Sequence, residues 1–160
     1  MKYLLRLGVA TFAMAAIYGL FVYAGSPENI KTAVAAGKDV LMYKSPTCGC
    51  CGNWAEHLRG AGFTVVEKKQ ENMDAIKVKY GIPKKLASCH TAIIDGYIIE
   101  GHVPAADVQR LLKERPDIVG LTAPGMPMKS PGMQSVGQQP KGYDVLAFDK
   151  DGNSHVFSHY

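Results

Sequence analysis

The sequence predicts an α/β fold built on a mixed sheet. From residue 39 onward, β-rich runs of strand length alternate with helical patterns, which favours strand–helix–strand units with parallel strands. An Asp95-Gly96 dipeptide joins two further β-rich runs, and this is the strongest short signal for an antiparallel hairpin. The chain of 160 residues, 47% hydrophobic and 20% charged, has the composition of an ordinary globular protein.

The N-terminus is predicted to lie outside the fold. Residues 1–25 are interpreted as a signal peptide or an N-terminal membrane anchor, 26–38 as a linker, and 39–160 as the folded domain. Lys2 and Arg6 precede an uncharged apolar run that is long for a signal peptide and close to the roughly 20 residues that span a bilayer. Both interpretations export the domain across the inner membrane, so the predicted location is the periplasm.

The first half of the domain is predicted to be a β-α-β unit. The run "DVLMYKS" at 39–45 has strand length, and "FTVVEKK" at 63–69 is rich in β-formers. Between them, Trp54 and Leu58 share one face of the helical segment "NWAEHLRG".

The second half adds a helix at 72–82, the hairpin at 91–102 and a helix at 104–116. Residues 120–142 are rich in Gly and Pro and are predicted to be a long loop. A second hairpin at 143–160 closes the chain. This order predicts a thioredoxin-like fold with a C-terminal loop and β-hairpin extension.

The stretch "SPTCGCCGNW" places Cys48, Cys50 and Cys51 within four positions, at the end of the first strand and the start of a helix. The positive end of the helix dipole and the unpaired N–H groups there favour thiolates, the form that attacks disulfides and binds soft metals. Cu(I) prefers such ligands, and a sulfur that bridges two ions lets few cysteines hold several metals. A plain Cys48–Cys51 disulfide and a zinc site remain alternatives, and an iron–sulfur cluster is disfavoured by export.

The same stretch resembles the thioredoxin active-site turn. Cys48 and Cys51 keep the C-x-x-C spacing, but Thr47 replaces the usual aromatic residue and Cys50 replaces the proline. Together with "SCHTAIIDGYIIEGHVP" and "PGMPMKSPGM", the chain resembles the CopG-type periplasmic copper-resistance proteins from about residue 38 to its end. The resemblance implies a cysteine-bridged cluster of several Cu(I) ions, with Cys48 and Cys51 as a redox-active pair.

A fourth cysteine, Cys89, is predicted to join this site. If Asp95-Gly96 is a two-residue turn, the hairpin register places Cys89 opposite His102. In thioredoxin-like folds this end of the hairpin lies beside the active-site helix. The predicted metal ligands are therefore Cys48, Cys50, Cys51, Cys89 and His102. The alternatives are a buried free cysteine for Cys89 and, equally open, a histidine that merely ends a strand for His102.

Five further residues are left open or assigned to the surface. Met126, Met128 and Met133 lie in the Gly/Pro loop, where thioether ligation of Cu(I) and a structural role are both open. His155 and His159 are predicted to be surface histidines of the last strand.

The predicted function is copper resistance through Cu(I) binding, with a possible thiol/copper oxidoreductase activity that supports detoxification or export. The alternatives are a metal-free thiol–disulfide oxidoreductase and a non-catalytic copper store or chaperone. The expected partners are copper ions and periplasmic copper carriers or an efflux system. A formal charge of +4 without a basic stripe does not support nucleic-acid binding, and membrane contact is expected only through the leader.

Overall fold

The computed structural model describes residues 38–135 and 137–160. The predicted leader and nearly all of the predicted linker lie outside these residues, so both assignments stay predictions. Across the described ranges, no helix is both long and apolar enough to cross a bilayer.

The described chain folds as an α/β domain whose strands and helices alternate in the first half and whose last two strands form a hairpin. The strands are β1 Asp39–Lys44, β2 Thr64–Lys69, β3 His90–Ile94, β4 Tyr97–Gly101, β5 Gly120–Ala123, β6 Asp144–Phe148 and β7 Ser154–His159. The helices are α1 Gly49–Gly60, α2 Met73–Lys79 and α3 Ala105–Glu114, with a 3-10 turn at Lys84–Leu86.

All seven strands form one sheet in the order β2-β1-β3-β4-β5-β6-β7. Strands β1 and β2 are parallel and are joined through α1, whereas β3 is antiparallel to both β1 and β4. This mixed sheet confirms the predicted thioredoxin-like fold, and β6 and β7 form the predicted C-terminal hairpin.

The register of the β3–β4 hairpin is the one that the sequence predicts. Ile94 pairs with Tyr97, and the ladder continues outward to the pair Thr91 and Glu100. Asp95 and Gly96 both have positive φ, at 48° and 87°, as the two central positions of a type I′ turn require. The turn therefore fixes which residues meet at the open end of the hairpin.

One strand lies where the sequence predicts only loop. Residues Gly120–Ala123 form β5, which pairs in parallel with β4 and in antiparallel with β6. Gly120 lies so close to Ile98 that a Cβ atom there would be 2.7 Å from the Ile98 carbonyl carbon. The extension hairpin consequently continues the main sheet.

Helix α1 packs on the sheet through the face that carries Trp54 and Leu58, both of which are fully buried. Trp54 Nε1 donates a hydrogen bond of 2.8 Å to the carbonyl oxygen of Val103, just before α3. Val108 and Leu111 of α3 belong to the same core cluster. Because the buried face and the Trp54 hydrogen bond both anchor the helix, its N-terminus has a fixed position against the end of the β3–β4 hairpin.

Candidate metal centre

The three clustered cysteines lie at the N-terminus of α1. Cys48 is the N-cap residue, with no side-chain capping bond, and Cys50 and Cys51 lie in the first turn. The first turn contains no acidic residue, so the positive end of the helix dipole faces the sulfur atoms without a competing carboxylate.

Cys89 lies beside these three residues. The sulfur atoms of Cys48, Cys50, Cys51 and Cys89 all lie within 4.8 Å of one another. Cys48 and Cys51 form a disulfide, while Cys50 and Cys89 are free. The Cys48 and Cys50 sulfurs are 3.6 Å apart. Cys89 therefore meets the geometric condition for sharing a metal, since a separation above about 6 Å exceeds the span of two bonds of about 2.3 Å each.

The end of the hairpin brings Cys89 and His102 together, as the register predicts. His102 Nε2 is 3.0 Å from Cys89 Sγ, and His102 Nδ1 is 2.7 Å from the carbonyl oxygen of Pro131. A carbonyl oxygen only accepts, so the ring proton belongs on Nδ1 and the Nε2 lone pair faces the sulfur. The His102 side chain is fully buried, just beyond the end of β4, so it faces the centre and not solvent.

His90 is a neighbour of Cys89 that the sequence does not single out. Its Nδ1 lies 3.3 Å from Cys89 Sγ, and its ring packs against Trp54 and His102 at centroid distances of 4.4 Å and 5.1 Å. The ring is fully buried, and its Nε2 has no hydrogen-bond partner among the described residues. Cys89, His90 and His102 thus form a second group of three donor atoms within 4.8 Å of one another.

Burial sets the protonation of these groups in the metal-free protein. It raises the pKa of the Cys89 thiol to about 12, with a smaller contribution from the neighbouring Cys50. It also lowers the pKa of His102, and it lowers the pKa of His90 further, with help from the charges of His102 and Lys77. At neutral pH both imidazoles are neutral, which is the form that binds metals, and Cys89 loses its proton when a metal arrives.

Glu100 holds the segment that carries Cys89. Its fully buried carboxylate accepts hydrogen bonds from the Ser88 backbone N–H and the Thr91 hydroxyl, both at 2.6 Å, and from Lys77 Nζ at 2.5 Å. Burial raises the pKa of Glu100, and the ammonium of Lys77 opposes that shift. The carboxylate therefore fixes the residues on both sides of Cys89 and ties them to α2.

The covering segment, residues 125–133, closes over this centre. It begins where the Gly125 N–H donates to the Ala87 carbonyl at 3.0 Å, and it supplies the Pro131 carbonyl to His102. Gly132 has φ +85°, and a Cβ atom there would lie 2.7 Å from the Trp54 nitrogen. Such close approach to the backbone of α1 requires glycine.

The remaining predicted residues differ in their exposure. Met126 and Met128, at the start of the covering segment, are 55% and 71% exposed, and Met133 is half-buried. His155 and His159 of β7 are exposed, as predicted, and His159 Nδ1 lies 2.7 Å from Asp144. Among the described residues, neither His155 nor His159 is hydrogen-bonded to any of the four cysteines.

Fold and site together define a thioredoxin-like protein with a four-cysteine cluster at the N-terminus of its first helix. Two solved structures, titled "Copper resistance protein copG- Form 1" and "Copper resistance protein copG- Form 2", are similar to the chain. Each is 40% identical to it with a TM-score of 0.71, and each alignment covers 78% of this chain and 98% of that chain.

The chain therefore belongs to the CopG family of copper resistance proteins, as the sequence resemblance predicts. Residues 86–133 also match a family model described as "Protein of unknown function, DUF411". That range contains Cys89, His90, His102 and the covering segment. A comparison with curated proteins found no match.

Proposed function

We propose that the protein binds copper through Cys48, Cys50, Cys51 and Cys89, with His102 as an outer ligand, and thereby supports copper resistance. The observation that supports this most strongly is the convergence of four sulfur atoms within 4.8 Å. Thiolates are the ligands that Cu(I) prefers, and the similar solved structures are named as copper resistance proteins.

The proposed cargo is a cluster of several Cu(I) ions. Two metal–sulfur bonds of about 2.3 Å each, the length known for zinc, span about 4.6 Å, so neighbouring sulfurs in this group can share one ion with little movement. Each thiolate that bridges two ions also relieves the repulsion among adjacent negative charges. The proposal requires the Cys48–Cys51 disulfide to be reduced, because only thiolates bridge in this way.

We further propose that Cys48 and Cys51 exchange electrons with copper. Formation of their disulfide releases two electrons and two protons, and two Cu(II) ions that each accept one electron become Cu(I). The presence of the disulfide beside two free cysteines supports this pairing. Cys48 is partly exposed whereas Cys51 is fully buried, so Cys48 is the sulfur that a partner or an ion reaches first.

The same disulfide favours a second candidate, a metal-free thiol–disulfide oxidoreductase. That activity needs Cys48 and Cys51 but has no use for Cys50, a third thiol able to form the wrong pair. The leader at 1–25 and the domain at 39–160 belong to the proposal, with a periplasmic location and copper carriers or an efflux system as partners.

The test measures copper bound to the reduced full-length chain under anaerobic conditions. We expect more than one Cu(I) per chain, and we expect Cys50→Ser to lower that number while the Cys48–Cys51 disulfide still forms on oxidation. Thr47→Ser, in the same turn but without a sulfur, is the matched control and should bind as the wild type does. If Cys50→Ser binds as many ions with the same affinity, the cluster proposal is wrong. A reduced wild-type chain that binds no copper would favour the metal-free alternative.

A further inference from the structure

A second set of donor atoms lies on the hairpin side of the centre. Cys89 Sγ is 3.0 Å from His102 Nε2 and 3.3 Å from His90 Nδ1. Neither Cys48 nor Cys51 belongs to this set. Disulfide formation between those two cysteines therefore removes two sulfurs from the four-cysteine group and none from the set Cys89, His90 and His102.

His102 is oriented as a metal ligand is. Ligating histidines almost always donate their second ring N–H to a carbonyl or carboxylate, which fixes the tautomer and the ring plane. The Pro131 carbonyl accepts this bond at 2.7 Å, and the opposite nitrogen faces Cys89. The lone pair of Nε2 is thereby held toward the sulfur before any ion arrives.

His90 supplies an independent observation. Its imidazole is fully buried and places Nδ1 3.3 Å from Cys89 Sγ, while Nε2 has no hydrogen-bond partner among residues 38–135 and 137–160. With its proton on Nε2, the ring directs the Nδ1 lone pair to the same sulfur that His102 faces. Trp54 packs against the ring at 4.4 Å and limits its reorientation.

We propose that the disulfide form of the protein holds a single copper ion between Cys89 Sγ, His90 Nδ1 and His102 Nε2. One thiolate and two imidazoles form a donor set that accepts copper in both oxidation states. No electron transfer is needed for this binding, which displaces the thiol proton. The choice of copper rests on the proposed function, but the site uses none of Cys48, Cys50 and Cys51. The protein then keeps a metal ion after its redox pair has been oxidised.

The experiment uses the full-length Cys50→Ser chain, oxidised so that Cys89 is its single remaining thiol. Cu(I) is added anaerobically and competed against a chromophoric chelator. We expect one bound ion per chain, and we expect His102→Gln and His90→Gln each to weaken binding at least about tenfold, as loss of a ligand should. His155→Gln, an exposed histidine of β7, is the matched control and should not change the affinity.

A second measurement leaves both histidines intact. One equivalent of Cu(I) should slow alkylation of Cys89 by iodoacetamide at least about tenfold in the same oxidised chain, because the ligating sulfur is no longer a free nucleophile. If Cu(I) does not slow the alkylation of Cys89, the inference is wrong. It is also wrong if His90→Gln and His102→Gln bind Cu(I) as tightly as His155→Gln does. If the reduced wild type binds several ions and the disulfide form binds none, this inference is wrong and the cluster proposal stands. If the disulfide form binds one ion and reduction adds no further ion, the cluster proposal is wrong and this inference stands.

Discussion

Substitution of Gly132 by alanine tests how the covering segment, residues 125–133, is held on α1. A Cβ atom at Gly132 would lie 2.7 Å from the Trp54 nitrogen and 2.9 Å from the Cys50 carbonyl oxygen. Both are backbone atoms of the helix that carries the cysteines, so neither moves without displacing α1. The segment must instead shift outward, and the Pro131 carbonyl that orients His102 shifts with it.

The expected loss of stability has two sources. A φ of +85° costs a residue with a Cβ atom about 1–2 kcal/mol. Overpacking against fixed backbone adds about 1–3 kcal/mol. Gly142→Ala separates the two, because Gly142 has φ +76° and no heavy atom within 4 Å of an added Cβ. Gly142→Ala should therefore show only the conformational cost.

Thermal unfolding of the metal-free full-length chain measures the difference. For a domain of this size, 1 kcal/mol shifts the melting temperature by about 3–6 °C. Gly132→Ala should thus melt at least about 3 °C below Gly142→Ala, and by the same shift of Pro131 it should weaken copper binding to the disulfide form. Equal melting temperatures for the two variants would refute the close packing of the covering segment on α1.

Two further predictions concern buried ionisable groups. Glu100→Ala leaves the Lys77 ammonium without its partner, so denaturant unfolding should show a free energy of unfolding lower by about 3–5 kcal/mol. Glu114→Ala, at an exposed position, should lower it hardly at all. Equal losses in the two variants would contradict a buried ion pair. Burial lowers the pKa of His90 and His102, so the stability they contribute is present above their unfolded pKa of about 6.5 and is lost as pH falls. The metal-free chain should be less stable at pH 5.5 than at pH 7.5, and His102→Gln should reduce that difference. An unchanged difference would show that His102 does not cause the loss of stability at low pH.

The pairing of Cys89 with His102 could be predicted because it follows from one local rule. A two-residue Asp-Gly turn fixes the hairpin register, and the register fixes which side chains meet several residues away. The ladder from Ile94 and Tyr97 to Thr91 and Glu100 has that register. The turn does not determine the backbone conformation beyond the last ladder pair.

His90 could not be predicted for that reason. Side chains in a strand alternate between faces, so regular pairing directs His90 away from its neighbour Cys89. In the structure Cys89 lies in a bend just before β3 begins at His90, and the bend brings both side chains to one centre. The bend is held by contacts from distant residues, namely the bonds from Ser88 and Thr91 to Glu100. Neither the turn nor the alternation rule contains that information.

Strand β5 was missed because its signal is weak and its partners are distant. Four residues, Gly120–Ala123, are too short to show a period, and they lie at the start of a stretch rich in Gly and Pro. Gly120 weakens a strand in isolation, yet here it permits close approach to Ile98. The tertiary contact outweighs the local preference, and it joins the C-terminal hairpin to the main sheet.

The two proposed sites are coupled because Cys89 belongs to both. Reduction of Cys48 and Cys51 creates the thiolates of the cluster, and oxidation leaves Cys50 together with the donors on the hairpin side. By linkage, copper that binds the dithiol form more tightly than the disulfide form must stabilise the dithiol to the same extent. For a two-electron couple, each tenfold difference in affinity raises the reduction potential of the disulfide by about 30 mV. A second ion site in the disulfide form reduces this difference, so the Cys89, His90 and His102 group would keep the redox pair reversible under copper loads that would otherwise hold it reduced.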